Sequence, residues 1–225
     1  MRAAIYTQFG DPAKVLEPGQ RPIPQPGKGQ VRIAMRRSPI HNHDLWTVRG
    51  NYGYKPELPA IGGSEAAGVI DALGEGVQGL QTGQRVVAAG VHESWAEFFL
   101  ADASGVVPLP DALDDERGCQ LIAMPLSALM LIEFLQVEKG DWIVQNTANG
   151  AVGKTVAMLA AARGINVVNL VRRDAGVEEL QALGIGNAVS TARAGRAGRT
   201  ACARWSARRR SCAPSTRWPA ARPAS

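Results

Sequence analysis

The stretch over residues 146–156 has the spacing in this sequence that points most directly to chemistry. It reads N-T-A-N-G-A-V-G-K-T-V and departs at one position, Ala148, from two phosphate-binding patterns. Residues 148–155 otherwise match the G-x-x-x-x-G-K-[ST] loop of nucleoside triphosphate sites, and residues 148–153 match the G-x-G-x-x-G turn of dinucleotide sites. Both patterns present backbone N–H groups to a phosphate, so the surrounding sequence has to decide between them.

The dinucleotide turn is favoured because it keeps the glycines on which it depends. Gly150 allows the backbone to approach a pyrophosphate, and Gly153 allows the helix to pack closely on the preceding strand. The triphosphate loop needs Gly at position 148, and no Asp ends a later apolar strand to hold Mg²⁺. A turn that binds nothing is the other alternative. The predicted cofactor-binding residues of the turn are Asn146, Asn149, Gly150, Ala151, Val152 and Gly153.

The end of the next apolar run indicates the cofactor. NAD sites usually carry Asp or Glu there to accept the ribose 2′-hydroxyl, whereas this sequence reads N-L-V-R-R-D over residues 169–174. Two guanidinium groups suit a 2′-phosphate through bidentate, charge-assisted hydrogen bonds. We therefore predict NADPH as the cofactor, bound by Arg172 and Arg173. NADH is the alternative if Asp174 accepts the ribose.

Two regions of different character must position these residues. Residues 1–115 contain short apolar or alternating runs punctuated by Pro and Gly, which predict a β-barrel or sandwich. Residues 116–190 contain a largely buried helix over residues 121–135, followed by strand, glycine turn, helix, strand and helix. That order predicts the beginning of a doubly wound parallel sheet, with about two of its usual six strands. The predicted fold class is thus β plus α/β.

Residues 191–225 match neither region. They hold nine arginines, no Asp or Glu, and no Val, Ile, Leu, Met or Phe. Such a segment cannot bury enough apolar surface to offset the entropy of ordering it, so we predict a disordered tail. The composition is also typical of GC-rich coding DNA translated out of frame. We expect a frameshift near residue 190 that truncates and impairs a longer protein, with a basic interaction tail as the alternative.

Charge and hydropathy limit the partners. The net charge of +5 belongs to the tail, because residues 1–190 keep 16 of the 25 basic and all 20 acidic side chains. Nucleic acid is therefore not the expected partner. The N-terminal residues lack a signal-peptide apolar region, and the apolar run over residues 121–135 is shorter than the ~20 residues of a membrane span. We expect a soluble, cytoplasmic protein with a small-molecule substrate and no membrane partner.

Several segments together resemble the medium-chain dehydrogenase/reductase superfamily. They are GNYGYKPELPAIGG at 50–63, Trp95 with Glu97, AMPLSA at 123–128, DWIVQNTANGAVG at 141–153 and VVNLVR at 167–172. The chain is most similar to trans-2-enoyl thioester reductases of mitochondrial type, in the zinc-independent branch, with quinone oxidoreductases nearby. The resemblance covers about residues 1–190. It implies a GroES-like β-barrel catalytic domain and an incomplete Rossmann domain, with substrate in the cleft between them. It also implies a homodimer, which the family forms through Rossmann edges that this chain lacks.

The resemblance also implies a reaction and its residues. The family transfers hydride from a nicotinamide to a C=C or C=O bond, here of an enoyl thioester, quinone or related carbonyl compound. Tyr52 matches the tyrosine that acts as proton donor or electrophile, a role that suits a phenol near a carbonyl oxygen. His41 stands where the reductases tend to have Asn and could donate a hydrogen bond or proton, and Trp95 is expected in the substrate cleft. Simple packing of Tyr52 and a backbone hydrogen bond of His41 are the alternatives.

Zinc alcohol dehydrogenases belong to the same superfamily, but their ligand positions are only partly kept. His41 stands at the first position, Ser64 precedes Glu65 at the second, and Ala123 or Met124 occupies the third. A catalytic zinc needs three firm ligands, so no metal is expected. The side chains that could still form a weak site are His41, His43, Asp44 and Glu65. A zinc-type alcohol dehydrogenase relative and a non-catalytic dinucleotide-binding remnant are the alternative functions.

Overall fold

A computed structural model describes residues 1–192, and the chain divides into two compact units. The first unit spans Met1–Leu131 and the second begins at Ile132. This division falls later than the domain boundary predicted at residues 115 and 116. The residues just after that boundary still belong to the first unit because Cys119 packs with Ala67, Val87 and Leu109 in one buried cluster.

The first unit is built mainly from strands. Its strands are β1 (Arg2–Tyr6), β2 (Glu17–Gln20), β3 (Gln30–Arg37), β4 (Ala60–Ile61), β5 (Glu65–Leu73), β6 (Arg85–Ala89), β7 (Phe98–Asp102) and β8 (Val106–Pro108). Its helices are α1 (Pro12–Val15), α2 (Asn42–Val48), a 3-10 turn at Ala103–Gly105, α3 (Asp115–Gly118) and most of α4 (Ala123–Leu135). The short apolar or alternating runs that predict strands in the sequence, at residues 3–6, 30–36, 66–73 and 84–88, correspond to β1, β3, β5 and β6.

Two antiparallel sheets form this unit, in the orders β7-β3-β5-β6-β8 and β2-β1-β4. The larger sheet curls where the β3–β5 register shifts, between Arg32 and Ile33 and again between Met35 and Arg37, because such irregularities bend a strand and increase its twist. Alternate residues Val31 and Ile33 of β3 are fully buried in the main core, and Met35 on the same face packs against it.

Helix α4 differs from its prediction as a largely buried helix. Ala128 and Ile132 are its buried side chains, whereas five of its large apolar side chains are exposed, including Phe134 at 83%. The other four are Leu126, Met130, Leu131 and Leu135. The prediction of burial was therefore wrong. The sequence of this helix is apolar on nearly every face, so it carries no periodic signal that separates a buried from an exposed side.

The second unit contains a parallel sheet with helices between its strands. Its elements are β9 (Trp142–Gln145), α5 (Ala151–Ala162), β10 (Asn166–Val171), α6 (Asp174–Ala182) and β11 (Ala188–Ser190). The strand order is β11-β10-β9 with both pairs parallel. The sequence predicted two strands here, and the structure adds β11, which is too short for a periodic signal. The core of this unit includes Ala148, Ala157, Val171, Leu180 and Ile185.

Two further predictions concern membrane spans and the C-terminal tail. Within residues 1–192, no helix is long and apolar enough to cross a membrane. The predicted disordered tail over residues 191–225 lies outside the described residues except for Thr191 and Ala192.

Candidate active site and cofactor turn

The first unit contains a cavity of about 480 Å³ beside helix α2. Aromatic and imidazole side chains are prominent in its lining, together with the backbone of the segment that leads into β5. The lining residues that matter below are Tyr6, His43, Tyr52, Tyr54, Ser64 and His92. Of the three residues predicted for chemistry or substrate contact, Tyr52 lies in this lining, and His41 and Trp95 do not.

Tyr52 lies in the loop after α2, with 46% of its surface exposed. Its ring is stacked on the His43 ring, with the centroids 5.7 Å apart and the planes inclined by 29°. A phenol that is exposed on one side and supported on the other is accessible to a ligand in the cavity. Its role as a proton donor stays a prediction.

His41 is buried at the start of α2 and faces a carboxylate. Its Nε2 lies 2.6 Å from Oε2 of Glu65, whose side chain has no exposed surface. The backbone N–H of His41 donates to Oδ2 of Asp44 at 2.9 Å, which closes the first turn of α2. The structure thus gives His41 a buried partner and no place in the cavity lining. Its role as a proton donor also stays a prediction.

A second hydrogen-bonded chain reaches the cavity through His43. The Ser64 hydroxyl donates to Oδ1 of Asp44 at 2.6 Å, and Nε2 of His43 lies 2.7 Å from the same hydroxyl oxygen. In the sequence, His43 and Ser64 stand out only through the partly kept zinc-ligand positions. Their contact joins positions 21 residues apart, and a local sequence pattern does not show such a contact. The hydrogen-bonded chain through His43 was therefore not predicted.

Trp95 packs against the segment that carries Ser64. A Cβ on Gly62 would lie 2.2 Å from Cε3 of Trp95, and a Cβ on Gly63 would lie 2.4 Å from its Cδ1. The indole N–H donates to the carbonyl of Pro39 at 3.2 Å. The indole therefore fixes the course of the chain just before β5. The predicted contact of Trp95 with substrate stays a prediction.

In residues 1–192, no group of three or more His, Cys, Asp or Glu side chains is arranged to hold a metal ion. The four side chains considered for a weak site divide instead into two pairs of contacts, one between His41 and Glu65 and one through Ser64 between His43 and Asp44.

The glycine turn of the second unit connects β9 to α5 and lies at the carboxyl end of the parallel sheet. Gly150 is the N-cap residue of α5. A Cβ on Gly153 would lie 2.7 Å from the Cα of Ala148 and 2.8 Å from the carbonyl oxygens of Ala148 and Thr147. Only glycine allows α5 to begin this close to the turn. The backbone geometry fits the predicted pyrophosphate turn.

Side chains on α6 reach back to this turn. Glu179 accepts a hydrogen bond from Nδ2 of Asn149 at 3.3 Å and forms an ion pair with Lys154. The hydrogen bond from Lys154, followed by that from Asn149, lowers the pKa of the Glu179 carboxyl. Asn149, predicted as a cofactor residue, is therefore already engaged by Glu179. The cation that completes the triphosphate pattern, Lys154, is likewise neutralised within the protein.

Arg172 and Arg173 follow β10 directly and are both exposed. Neither forms an ion pair with any residue of the described part of the chain. The parallel strands β9 and β10 are adjacent, and the N–H of Ala148 in the turn donates to the carbonyl of Leu170 at 3.1 Å. The guanidinium groups therefore lie at the same edge of the sheet as the turn. This donor set fits the 2′-phosphate of NADPH.

Comparison with known proteins agrees with the family resemblance of the sequence. Residues 27–111 match the model of the alcohol dehydrogenase GroES-like domain. Over 182 residues the chain is 34% identical to the human mitochondrial enoyl-[acyl-carrier-protein] reductase, a match that covers 80% of this chain and 49% of that protein. The chain spans about half the length of the curated relatives it matches.

Solved structures are similar over most of the described residues. A mycobacterial protein in complex with NADPH aligns with a TM-score of 0.78 at 29% identity, covering 84% of this chain and 58% of that one. The Escherichia coli quinone oxidoreductase in complex with NADPH aligns with a TM-score of 0.80 and covers 86% of this chain and 59% of that one. At 21% identity the second likeness concerns the fold alone.

These findings confirm the predicted fold class, a GroES-like unit followed by a Rossmann-type unit. They also confirm the resemblance on which the site predictions depend. The chain belongs to the medium-chain dehydrogenase/reductase superfamily of oxidoreductases, in its zinc-independent branch.

Proposed function

We propose that this protein is an NADPH-dependent oxidoreductase that reduces an enoyl thioester, a quinone or a related carbonyl compound. The observation that carries the proposal is the pair Arg172 and Arg173, which is exposed beside the glycine turn and forms no ion pair within the described residues. The charge of Arg173 also helps to lower the pKa of the Glu179 carboxyl. The relatives support the substrate range, because one is named an enoyl-[acyl-carrier-protein] reductase and a structural neighbour is named a quinone oxidoreductase. When bound, NADPH supplies a hydride.

The second unit would bind and orient the cofactor. The backbone N–H groups at the start of α5 would hold the pyrophosphate, since a helix N-terminus favours an anion. Gly153 keeps the turn in the required shape, because any side chain there would collide with the backbone of Ala148. Arg172 and Arg173 would hold the 2′-phosphate and thereby distinguish NADPH from NADH.

The first unit would supply the acid. The Tyr52 hydroxyl would donate a hydrogen bond to the substrate carbonyl oxygen and deliver the proton that balances the hydride. Tyr52 is suited to this role because it is exposed in the lining of the cavity and its ring is supported by His43. We keep the cytoplasm as the proposed location, although the human relative is named as mitochondrial.

The proposed binding of NADPH is tested by titrating the purified protein with NADPH and NADH in parallel. We expect Arg172→Ala to weaken NADPH binding about 10- to 100-fold, the effect of losing a charge-assisted contact, with NADH binding nearly unchanged. Arg172→Lys should recover part of the loss because it keeps the charge without the bidentate geometry. The control is Arg163→Ala, which removes an arginine of the same unit that pairs with Glu133. Equal losses for NADPH and NADH would refute the assignment of Arg172.

The proposed role of Tyr52 as the proton donor is tested by the variant Tyr52→Phe. We expect kcat for an enoyl thioester or a quinone to fall about 10²- to 10⁴-fold, as for the loss of a general acid, with KM little changed. NADPH that binds without turnover of any of these substrates would indicate a non-catalytic dinucleotide-binding protein instead.

A further inference from the structure

The buried carboxylate of Asp44 is the fixed end of the hydrogen-bonded chain Asp44–Ser64–His43, which leads to the cavity. Only 4% of the Asp44 surface is exposed. Its Oδ2 accepts from the backbone N–H of His41 at 2.9 Å, and its Oδ1 accepts from the Ser64 hydroxyl at 2.6 Å. Both oxygens are thus held by donors from two different segments, and the carboxylate cannot rotate without breaking one of these bonds.

This arrangement fixes the tautomer of His43. A serine hydroxyl has one proton, and Ser64 gives it to Asp44. The Ser64 oxygen can therefore only accept from Nε2 of His43, 2.7 Å away, so Nε2 carries the imidazole proton. In the neutral ring Nδ1 is then the acceptor, and no residue of the range 1–192 donates a hydrogen bond to it.

The His43 ring lies between two other rings. On one side its centroid is 5.0 Å from that of His41, with the planes inclined by 25°, and on the other it is 5.7 Å from that of Tyr52. His41 is itself held by the buried Glu65. Tyr52 has no hydrogen-bonded partner among the described residues, so its stacking on His43 is the contact that orients the phenol.

We propose that His43 is the positioning residue of Tyr52, with the Asp44–Ser64 chain holding the imidazole as the Nε2–H tautomer and the imidazole holding the phenol in the cavity lining. The inference rests on the proposed function only for what Tyr52 does. Ser64 acts one step further back, since its hydroxyl is hydrogen-bonded to His43 and Asp44 and the ring of His43 is what stacks on Tyr52.

The wild-type chain tests the tautomer directly. It contains three histidines and three tyrosines, so ¹⁵N-imidazole and ¹³C-tyrosine labels give few signals, which single His→Gln and Tyr→Phe variants assign. On titration from acid to neutral pH, we expect Nδ1 of His43 to lose its proton while Nε2 keeps its own. The titratable groups that face His43 are Asp44, His41 and Tyr52, with Glu65 behind His41. Loss of the proton from Nε2, or a mixture of tautomers, would overturn the proposal.

The contact with Tyr52 is tested in the same spectra. The Tyr52 ring signals should move in the pH step of His43, and this step should disappear in His43→Phe, which keeps a flat ring but cannot titrate. His43→Ala should shift the Tyr52 signals towards those of an exposed tyrosine. The matched control is His92→Ala, which removes the ring stacked on Tyr54 at 4.1 Å on the same cavity and should leave Tyr52 unchanged. If a His43 variant does not fold, the titration of the wild-type protein is a sufficient test. Tyr52 signals that do not change in the pH step of His43 would contradict the proposal.

Ser64 provides a test that leaves both rings in place. Ser64→Ala removes the oxygen to which Nε2 of His43 donates and leaves only Oδ1 of Asp44, 3.6 Å from Nε2, so the fraction of the Nε2–H tautomer should fall in the ¹⁵N spectrum. Ser64→Thr, which keeps the hydroxyl, should restore the single tautomer. In an active enzyme, Ser64→Ala should lower kcat several-fold with little change in KM, and Ser64→Thr should recover most of it. An unchanged tautomer and kcat in Ser64→Ala would refute the role of the chain. Because the spectra need no turnover, a failure of the proposed function remains separate from a failure of this inference.

Discussion

Glu65 and His41 form a buried pair in the first unit, with Oε2 and Nε2 2.6 Å apart. The other carboxylate oxygen of Glu65 accepts from the backbone N–H groups of Ile122 and Ala123, both at 3.0 Å. One buried side chain therefore joins the start of α2, through His41, to the start of α4. Since the first N–H groups of a helix have no partners within the helix, the carboxylate also satisfies donors that would otherwise be left unpaired.

Removal of this carboxylate should be strongly destabilising. Glu65→Ala would leave His41 and two backbone N–H groups without their acceptor, and we expect the free energy of unfolding to fall by about 3–5 kcal/mol, the usual cost of breaking a buried pair from one side. Glu65→Gln keeps an oxygen for the N–H groups and should lose less. Urea unfolding followed by circular dichroism measures both values.

The matched control for Glu65 is Glu97→Ala, which breaks an exposed pair with Arg2 in the same unit. Its expected cost is small, because water screens the attraction between exposed charges. If Glu65→Ala were no more destabilising than this control, the buried pair would not be what holds α2 and α4 together.

Gly153 should not tolerate even one added methyl group. The Cβ of Gly153→Ala would meet three backbone atoms at 2.7–2.8 Å, and backbone cannot move aside as a flexible side chain can. We expect a loss of about 1–3 kcal/mol in the free energy of unfolding, as for overpacking, together with weaker NADPH binding. The control is Gly186→Ala in the same unit, where a Cβ meets nothing within 4 Å and both properties should stay nearly unchanged. Equal results for the two variants would contradict the close packing of α5 on the turn.

The parts of the structure that the sequence predicted are local. The glycine turn and the Arg172–Arg173 pair each lie within one strand–turn–helix segment, so their spacing is visible in the printed letters. The parts that it missed join distant positions. The contact of His43 with Ser64 spans 21 residues, and that of Glu65 with Ile122 spans 57. Tertiary packing creates both. The likeness to zinc-ligand positions grouped His43 and Glu65 in the sequence as part of a possible weak metal site, but it did not indicate these hydrogen bonds.

The ionisation of the Glu179 carboxyl should make the thermal stability of the protein depend on pH in the acid range. Its pKa is lowered by the hydrogen bonds from Lys154 and Asn149, so the folded state favours the ionised form. The resulting stability is present above the pKa of an unfolded glutamate and is lost as pH falls through the lowered folded value. Thermal unfolding between pH 6 and about pH 3 should show a smaller acid-side decrease in Tm for Glu179→Gln than for wild type. Glu178→Gln is the control on the exposed neighbouring residue, and a decrease identical in all three proteins would rule out the effect.

The ionisation of the Tyr6 phenol should make the thermal stability of the protein depend on pH in the basic range. Burial, followed by the charges of Tyr54 and Glu93, raises the pKa of the Tyr6 phenol from 10.0 to about 12. The folded state therefore favours the protonated phenol, so its contribution to stability is complete below pH 10 and is lost as pH rises towards 12. Tyr6→Phe cannot ionise and should lose less Tm between pH 9 and pH 11 than wild type, apart from losses due to other groups. The phenolate absorbance of wild type should rise in a late step that Tyr6→Phe lacks and Tyr52→Phe retains. A Tyr6→Phe protein that loses Tm as steeply as wild type, with the late step intact, would show that another group is responsible.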